Sequence, residues 1–159
     1  MNGYYSPNPD NENFYQGDIL RDYPIAILPD KRFPEIVYED DEYSGTVMIR
    51  AKISSTNIII ISQTCDIKNR EFVAVCPVFP IERLEANQLE QLKKGKINYR
   101  FWLPPIDGVL HESYADFVII NAIKRESLDI NQRLASLSER YRSHLTERIH
   151  QYFCRPVTI

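Results

Sequence analysis

Glycine is scarce: five in 159 residues. A loop that cradles phosphates with backbone N–H groups needs several glycines close together. No G-x-G-x-x-G, P-loop, G-x-S-x-G or H-E-x-x-H phrase occurs, which argues against dinucleotide-fold, P-loop, α/β-hydrolase and zincin chemistry. Cysteine is scarce too. Cys65, Cys76 and Cys154 are odd in number and show no paired spacing, so no disulfide framework is expected and a reducing, cytoplasmic setting is the simple reading. No apolar run reaches the roughly 18 residues that cross a bilayer, and Met1 leads into a polar stretch, so neither a membrane span nor a signal peptide is expected. Positive charge is not in excess. The net charge of −3 argues against a general polyanion binder while leaving room for a local basic patch.

What is present suits one domain. Hydrophobic residues make up 43% and charged residues 26%, and ten Tyr with seven Phe supply bulky core material. A chain of this length buries roughly 70% of its unfolded surface without metal or disulfide help. No internal repeat marks a second domain. Residues 1–13, rich in Asn and Pro, read as a loose arm before a single domain over 14–159.

Along the chain, Tyr23–Leu28 suggests a strand, and residues 29–44 a long excursion or weak hairpin holding the acidic run Glu39-Asp40-Asp41-Glu42. Thr46–Ile53 alternates as a half-buried strand does. Ile58-Ile59-Ile60-Ile61 is a continuous β-branched run, the pattern of a central strand covered on both faces. Glu71–Cys76 reads as the next strand, stopped by Pro77, and the two strands with their 62–70 loop predict a hairpin. A short helix over 82–95 ending at Gly95, a strand over Tyr99–Leu103, a turn at Asp107-Gly108 and a strand over Asp116–Ile123 follow. The last element is an amphipathic helix. Ser138 is its N-cap, Ser136 and Glu139 fit a capping box, Tyr141, Leu145, Ile149 and Phe153 form its apolar stripe, and Pro156 ends it.

In their order, several phrases resemble the PemK/MazF-type toxins, small SH3-like barrels that cut RNA. Gly17-Asp18-Ile19 looks like that family's first strand, and Ile58–Ser62 with Val73–Pro77 like its central hairpin. Asp116–Ile123 with Lys124-Arg125 looks like its late strand, and Arg133–Ser138 with the helix behind it like its closing helix. The pieces span about a third of the chain. The Gly-rich first loop ending in Arg-Pro is missing, Pro77 is followed by Val78-Phe79-Pro80, and residues 82–115 look like a helical insertion. The resemblance thus implies a mainly β fold with helices, an SH3-like, PemK/MazF-like small barrel with an insertion and a C-terminal amphipathic helix. It also implies a toxin-antitoxin, stress or phage-defence setting. It carries over no catalytic residue.

Ser62-Gln63-Thr64-Cys65-Asp66 packs two hydroxyls, an amide, a thiol and a carboxylate after the most buried strand, where rigid scaffolds present function. The same residues also suit a tight turn that satisfies its own backbone. Cys65 as a nucleophile needs a partner that lowers its pKa. Asp66 beside it does the opposite, and His111 is the histidine outside the closing helix. Cys65, Cys76 and His111 fit no zinc spacing, and Cys76 reads as a small buried hydrophobe. Arg140 and Arg148, with Lys124, Arg125 and Arg155, could meet phosphates or merely solvate a helix face. Arg133 suits a backbone carbonyl or a carboxylate. Tyr99-Arg100-Phe101-Trp102 suits either base stacking or core.

The functional expectation is nucleic-acid binding, with RNA as partner, through Ser62, Gln63, Thr64, Arg140 and Arg148. The alternatives are an endoribonuclease using Asp66, Cys65 and His111, or an inactive module that binds a protein partner or forms a homodimer. No cofactor, metal or membrane partner is expected.

Overall fold

A computed structural model describes residues 3–27, 36–37, 48–49 and 52–154. The domain is mainly β, with an antiparallel seven-stranded sheet, a two-stranded ribbon and a few helices. In chain order the elements are β1 (Asp18–Ile27), β2 (Ile36–Val37), β3 (Met48–Ile49), β4 (Lys52–Ile60), α1 (Thr64–Asn69), β5 (Phe72–Pro80), α2 (Ala86–Lys93), β6 (Arg100–Leu103), β7 (Ser113–Asp116), β8 (Asn121–Lys124), β9 (Arg133–Ser136) and α3 (Glu139–Phe153). The large sheet runs β6-β7-β5-β4-β1-β9, with β8 also on β5; β2, inside the expected 29–44 excursion, pairs β3, which lies in the expected Thr46–Ile53 strand. Leu28, the acidic run, Thr46, Val47 and Pro156 lie outside the described residues.

The isoleucine run sits where a run covered on both faces must. β4 lies between β5 and β1, and Ile58, Ile59, Ile60 and Ile61 are all buried. Ile59 and Ile61 point into a core with Phe117, Leu137 and Leu145, which α3 closes. Ile58 and Ile60 point into a second core with Leu20, Ile25, Val75 and Ile67 of α1. β1 starts at Asp18, ahead of the expected Tyr23, and carries an irregularity in register between Leu20 and Tyr23. Asp22 takes a φ of 60° there, a conformation that Asp tolerates better than most residues. Gly17 takes φ 86°, and a Cβ on it would stand 2.9 Å from Leu137 Cδ1, so the turn into β1 requires glycine.

Two strand boundaries differ from the sequence expectation, for one linked reason. β5 runs through Pro77 to Pro80 instead of stopping. Ala74 C=O accepts from Ile61 N–H at 2.9 Å, so alternation turns Pro77 away from β4. On that other side β8 faces Phe72–Val75 and β7 faces Val78–Pro80, leaving Pro77 at the seam between them. Its missing N–H therefore costs no ladder bond. The expected single strand over Asp116–Ile123 breaks at the same seam. Asp116 accepts Val118 N–H on its side chain at 3.0 Å and Ile119 N–H on its carbonyl at 3.3 Å, and the looped-out Phe117 drops into the core.

Among the described residues the sheet is not closed by strand pairing. Its two end strands are instead tied by the N-terminal residues expected to form a loose arm. Ser6 N–H donates to Ser136 C=O at 2.8 Å, and Tyr5 bridges Leu137, next to β9. Tyr4 and Tyr5 hydroxyls donate to Trp102 C=O (2.6 Å) and Pro104 C=O (2.7 Å) at β6. The segment expected to be an insertion over 82–115 supplies α2, β6 and most of β7, so it builds one end of the sheet.

α3 starts after Ser138 as expected, but the Ser138 hydroxyl donates to Gly3 C=O at 2.7 Å rather than capping the helix. Ser136 lies in β9, so no capping box forms. The stripe holds at Tyr141, Leu145 and Ile149 and fails at Phe153, which is 58% exposed; Tyr152 packs on the core instead. Each four-residue step overshoots a 3.6-residue turn by about 40°, so after three steps the side chain has left the face and the i+11 position replaces it.

Candidate functional site

The segment after β4 is half pinned to the fold. Residues Thr64–Asn69 form a short helix rather than a loop. Ser62 Oγ accepts Ala74 N–H at 2.8 Å, and Thr64 Oγ1 accepts Gln16 N–H at 3.2 Å. These two hydroxyls thus serve the backbone. Gln63 and Cys65 are exposed, with Cys65 Sγ 3.8 Å from Gln63 Oε1, and the Asp66 carboxylate lies 3.7 Å from Arg70 Nε. His111 does not join them. It precedes Ser113, which pairs with Pro80, whereas α1 leads into Phe72 at the other end of β5. Eight residues of strand put roughly 26 Å between those ends. Asp66, Cys65 and His111 therefore make no common site.

Cys76 is buried within β5, and burial, aided by the nearby Asp116 charge, pushes its thiol well above the ordinary range. Among the described residues, no three His, Cys, Asp or Glu side chains stand close enough to hold a metal ion. Cys65 and Cys154 are exposed. Native protein is expected to release two equivalents of thionitrobenzoate from Ellman's reagent quickly, and a third only on unfolding. Three fast equivalents would contradict the packing of β5.

Gln16, which the sequence offers no reason to single out, links this segment to α3. Its amide Nε2 donates to Ile61 C=O at 2.8 Å, and its Oε1 accepts the Thr146 hydroxyl at 2.6 Å. Beside it lies a buried ion pair, Asp18 with Arg133 Nη2 at 2.7 Å. Arg133 also donates to Asp10 C=O and Asn13 C=O, so it takes both kinds of partner expected of it. Burial pushes the Asp18 carboxyl up, against hydrogen bonds from Ser136 and Tyr15 N–H and the Arg133 charge. Asp10, at the surface, goes the other way. The Glu12 N–H, with Asn13 and Tyr15, holds its carboxyl at about 2.

A cavity lies elsewhere, between the end of α2, β6, α3 and Tyr4, with a volume of about 410 Å³. Arg100, Phe101 and Trp102 of β6 all line it, with Phe101 buried and Trp102 half-buried. Trp102 is held in place: its Nε1–H donates to Glu112 at 2.9 Å, and Lys93 Nζ reaches the same carboxylate at 2.6 Å. Burial would raise the Glu112 carboxyl, but the bonds from Lys93 and Trp102 outweigh it and hold the group below its usual range. Tyr4 stacks on Tyr141 with centroids 3.7 Å apart and meets Trp102 edge-on at 5.8 Å. Arg100 is paired with Asp116 at 3.2 Å and lies over the rings of Tyr99 and Tyr114. Its Nη1 is buried with no hydrogen-bond partner, a cost of about 1–3 kcal/mol. Arg148 Nη1 donates to Gly95 C=O at 2.7 Å, and His144 and Glu147 complete the α3 wall.

Of the binding residues expected from sequence, Arg148 lines this cavity. Arg140 does not; its guanidinium lies 5.8 Å from the outer Tyr141 ring. Of residues 99–102, Arg100, Phe101 and Trp102 line the cavity and Tyr99 does not; Phe101 belongs to the core and Trp102 packs against it. Tyr4, Lys93 and His144 were missed. Their spacing carries no signal, because three separate segments, the N-terminal residues, α2 and α3, bring them together. Lys93, Arg100 and Arg148 face Glu147, and Glu112 and Asp116 stand directly behind, so cations and carboxylates balance at three each. The cavity offers ring faces and directed donors, not a strong positive field. The class that emerges is a mainly β domain with an aromatic, donor-lined cavity walled by its closing helix. Comparison with protein-family models finds no match, and comparison with curated proteins finds none either.

Proposed function

We propose that this protein binds nucleic acid, RNA in single-stranded form, through the cavity between α2, β6 and α3. The observation that carries the reading is Trp102, locked by Glu112 and flanked by the Tyr4–Tyr141 stack and the Arg148 guanidinium. Bases stack on such rings in a sequence-tolerant way, and guanidinium groups take phosphate oxygens. The Ser62–Asp66 segment then acts through Gln16, setting the position of α3, rather than as the contact surface. Our finer reading of the fold is an SH3-like barrel of PemK/MazF type, supported by the antiparallel pairing of β4 with β5 and by the closing helix. A cytoplasmic toxin-like or defence setting goes with it. Cleavage by Asp66, Cys65 and His111 is not part of the proposal, because His111 stands far from the other two.

Fluorescence anisotropy with a labelled ten-nucleotide RNA tests this. Trp102→Leu is expected to weaken binding about 5- to 150-fold, the effect of losing one stacked base, while Cys65→Ser leaves it unchanged. Absence of binding at roughly 0.1 mM protein, the weak end of non-specific association, removes the reading. A protein-binding role then becomes the better one. It is favoured by the shallow hollow at Tyr99, Val118, Tyr152 and Phe153, where Val118 and Phe153 are exposed.

A further inference from the structure

We infer that the cavity takes a single nucleotide unit, a base with its phosphate, rather than a running strand; this rests on the RNA-binding reading above and deepens it. Three observations combine. The first is closure. Arg148 Nη1 bonded to Gly95 C=O joins α3 to the end of α2 on one side. The Tyr4–Tyr141 stack, with the Tyr4 hydroxyl on Trp102 C=O, joins α3 to β6 on the other. A strand passing through would have to break one of these bridges, whereas a base entering from the open side breaks neither. The second is size. About 410 Å³ lies in the range of small-ligand sites, roughly 300–1,000 Å³, and leaves little room for several nucleotides. The third is charge. The three cations are matched by Glu147, Glu112 and Asp116, so a row of phosphates finds no excess charge to neutralise. One phosphate can still be held by the remaining N–H groups of Arg148, with the base against Trp102. Chemically the ligand is a nucleoside monophosphate, free, terminal on RNA or flipped out of it.

Trp102 is the single tryptophan of the chain, so its fluorescence reports on this cavity and nothing else. Wild-type protein is titrated with AMP, GMP, CMP and UMP, and with adenosine as the ligand lacking phosphate. The monophosphates are then used to displace the labelled RNA. Expected are quenching of Trp102, displacement of the RNA, and AMP binding about tenfold or more tighter than adenosine, the share of one charge-assisted hydrogen bond. RNA binding should also weaken only mildly with salt, a log–log slope of about −0.7 to −1.4 for one or two phosphates, against −3 or steeper for a strand channel. RNA that binds but is not displaced by any monophosphate overturns the single-nucleotide site and leaves RNA binding standing. Monophosphates that quench while RNA fails to bind overturn RNA binding and keep the site. Silence toward both removes both. Equal affinity for AMP and adenosine overturns the assignment of a nucleotide as the ligand.

Discussion

Arg133→Ala is expected to destabilise the domain by about 3–5 kcal/mol, the penalty for removing one partner of a buried ion pair. Arg133 is 5% exposed and Asp18 not at all, and they meet at 2.7 Å. Alanine would leave a buried carboxylate whose Oδ1 already lacks a hydrogen-bond partner. It would also free Asp10 C=O and Asn13 C=O, which Arg133 ties to β9. For a chain of this length the melting temperature should fall by roughly 6–20 °C. The pH dependence has a definite sign. Burial already raises the Asp18 carboxyl, and loss of the Arg133 charge raises it further. A folded-state pKa above the unfolded one favours the folded protein at low pH, and that contribution is lost as pH rises through the folded value. The deficit of Arg133→Ala should therefore be largest at neutral pH and shrink on acidification. Replacing both partners by apolar residues, Asp18→Leu with Arg133→Met, should recover most of the loss. Urea melts of the wild-type protein and both variants check this. A single-variant loss under about 1 kcal/mol would show that the pair is solvated, as surface pairs are.

Leu145→Ala is expected to cost about 2–5 kcal/mol, as a large buried aliphatic truncation does, and to disable the cavity as well. Leu145 is fully buried in the core that holds Ile59, Phe117 and Leu137, and it is the residue by which α3 is seated. Tyr141, His144 and Arg148 lie on the same helix around it, so a helix that shifts takes one wall of the cavity with it. Nucleotide quenching of Trp102 should weaken in step with stability. Leu145→Met, nearly equal in volume, should cost less than about 1.5 kcal/mol and preserve quenching. Full quenching in a destabilised Leu145→Ala protein would mean that α3 contributes nothing to the binding surface.

The parts of the fold that could be read directly from the chain share a property: their signal is local. Four β-branched residues in succession can be accommodated only with both faces covered, which is why β4 is central. The apolar stripe through Tyr141, Leu145 and Ile149 specifies one buried helix face by itself. Gly95, with φ 67°, ends the second helical segment because a left-handed residue cannot continue it. Where the expectation failed, a non-local partner had overruled a local rule. Pro77 ends a strand only if a neighbour needs its N–H, and here it faces the seam between β8 and β7. Ser138 caps its own helix only if its hydroxyl is aimed at the helix N–H groups, and here it is turned toward Gly3 C=O.

The candidate site divides in the same way. Composition and pattern were enough to establish a mainly β domain closed by a helix, and to mark Arg148 and the Arg100–Trp102 stretch as chemically able residues. Tertiary structure alone decided that His111 stands a strand's length from Cys65, that Ser62 and Thr64 spend their hydroxyls on backbone, and that Tyr4 from near the first residue meets Tyr141 from the last helix. Sequence encodes which side chains can bond or stack. Which of them meet depends on strand register and helix placement, and these follow from burying the whole chain at once.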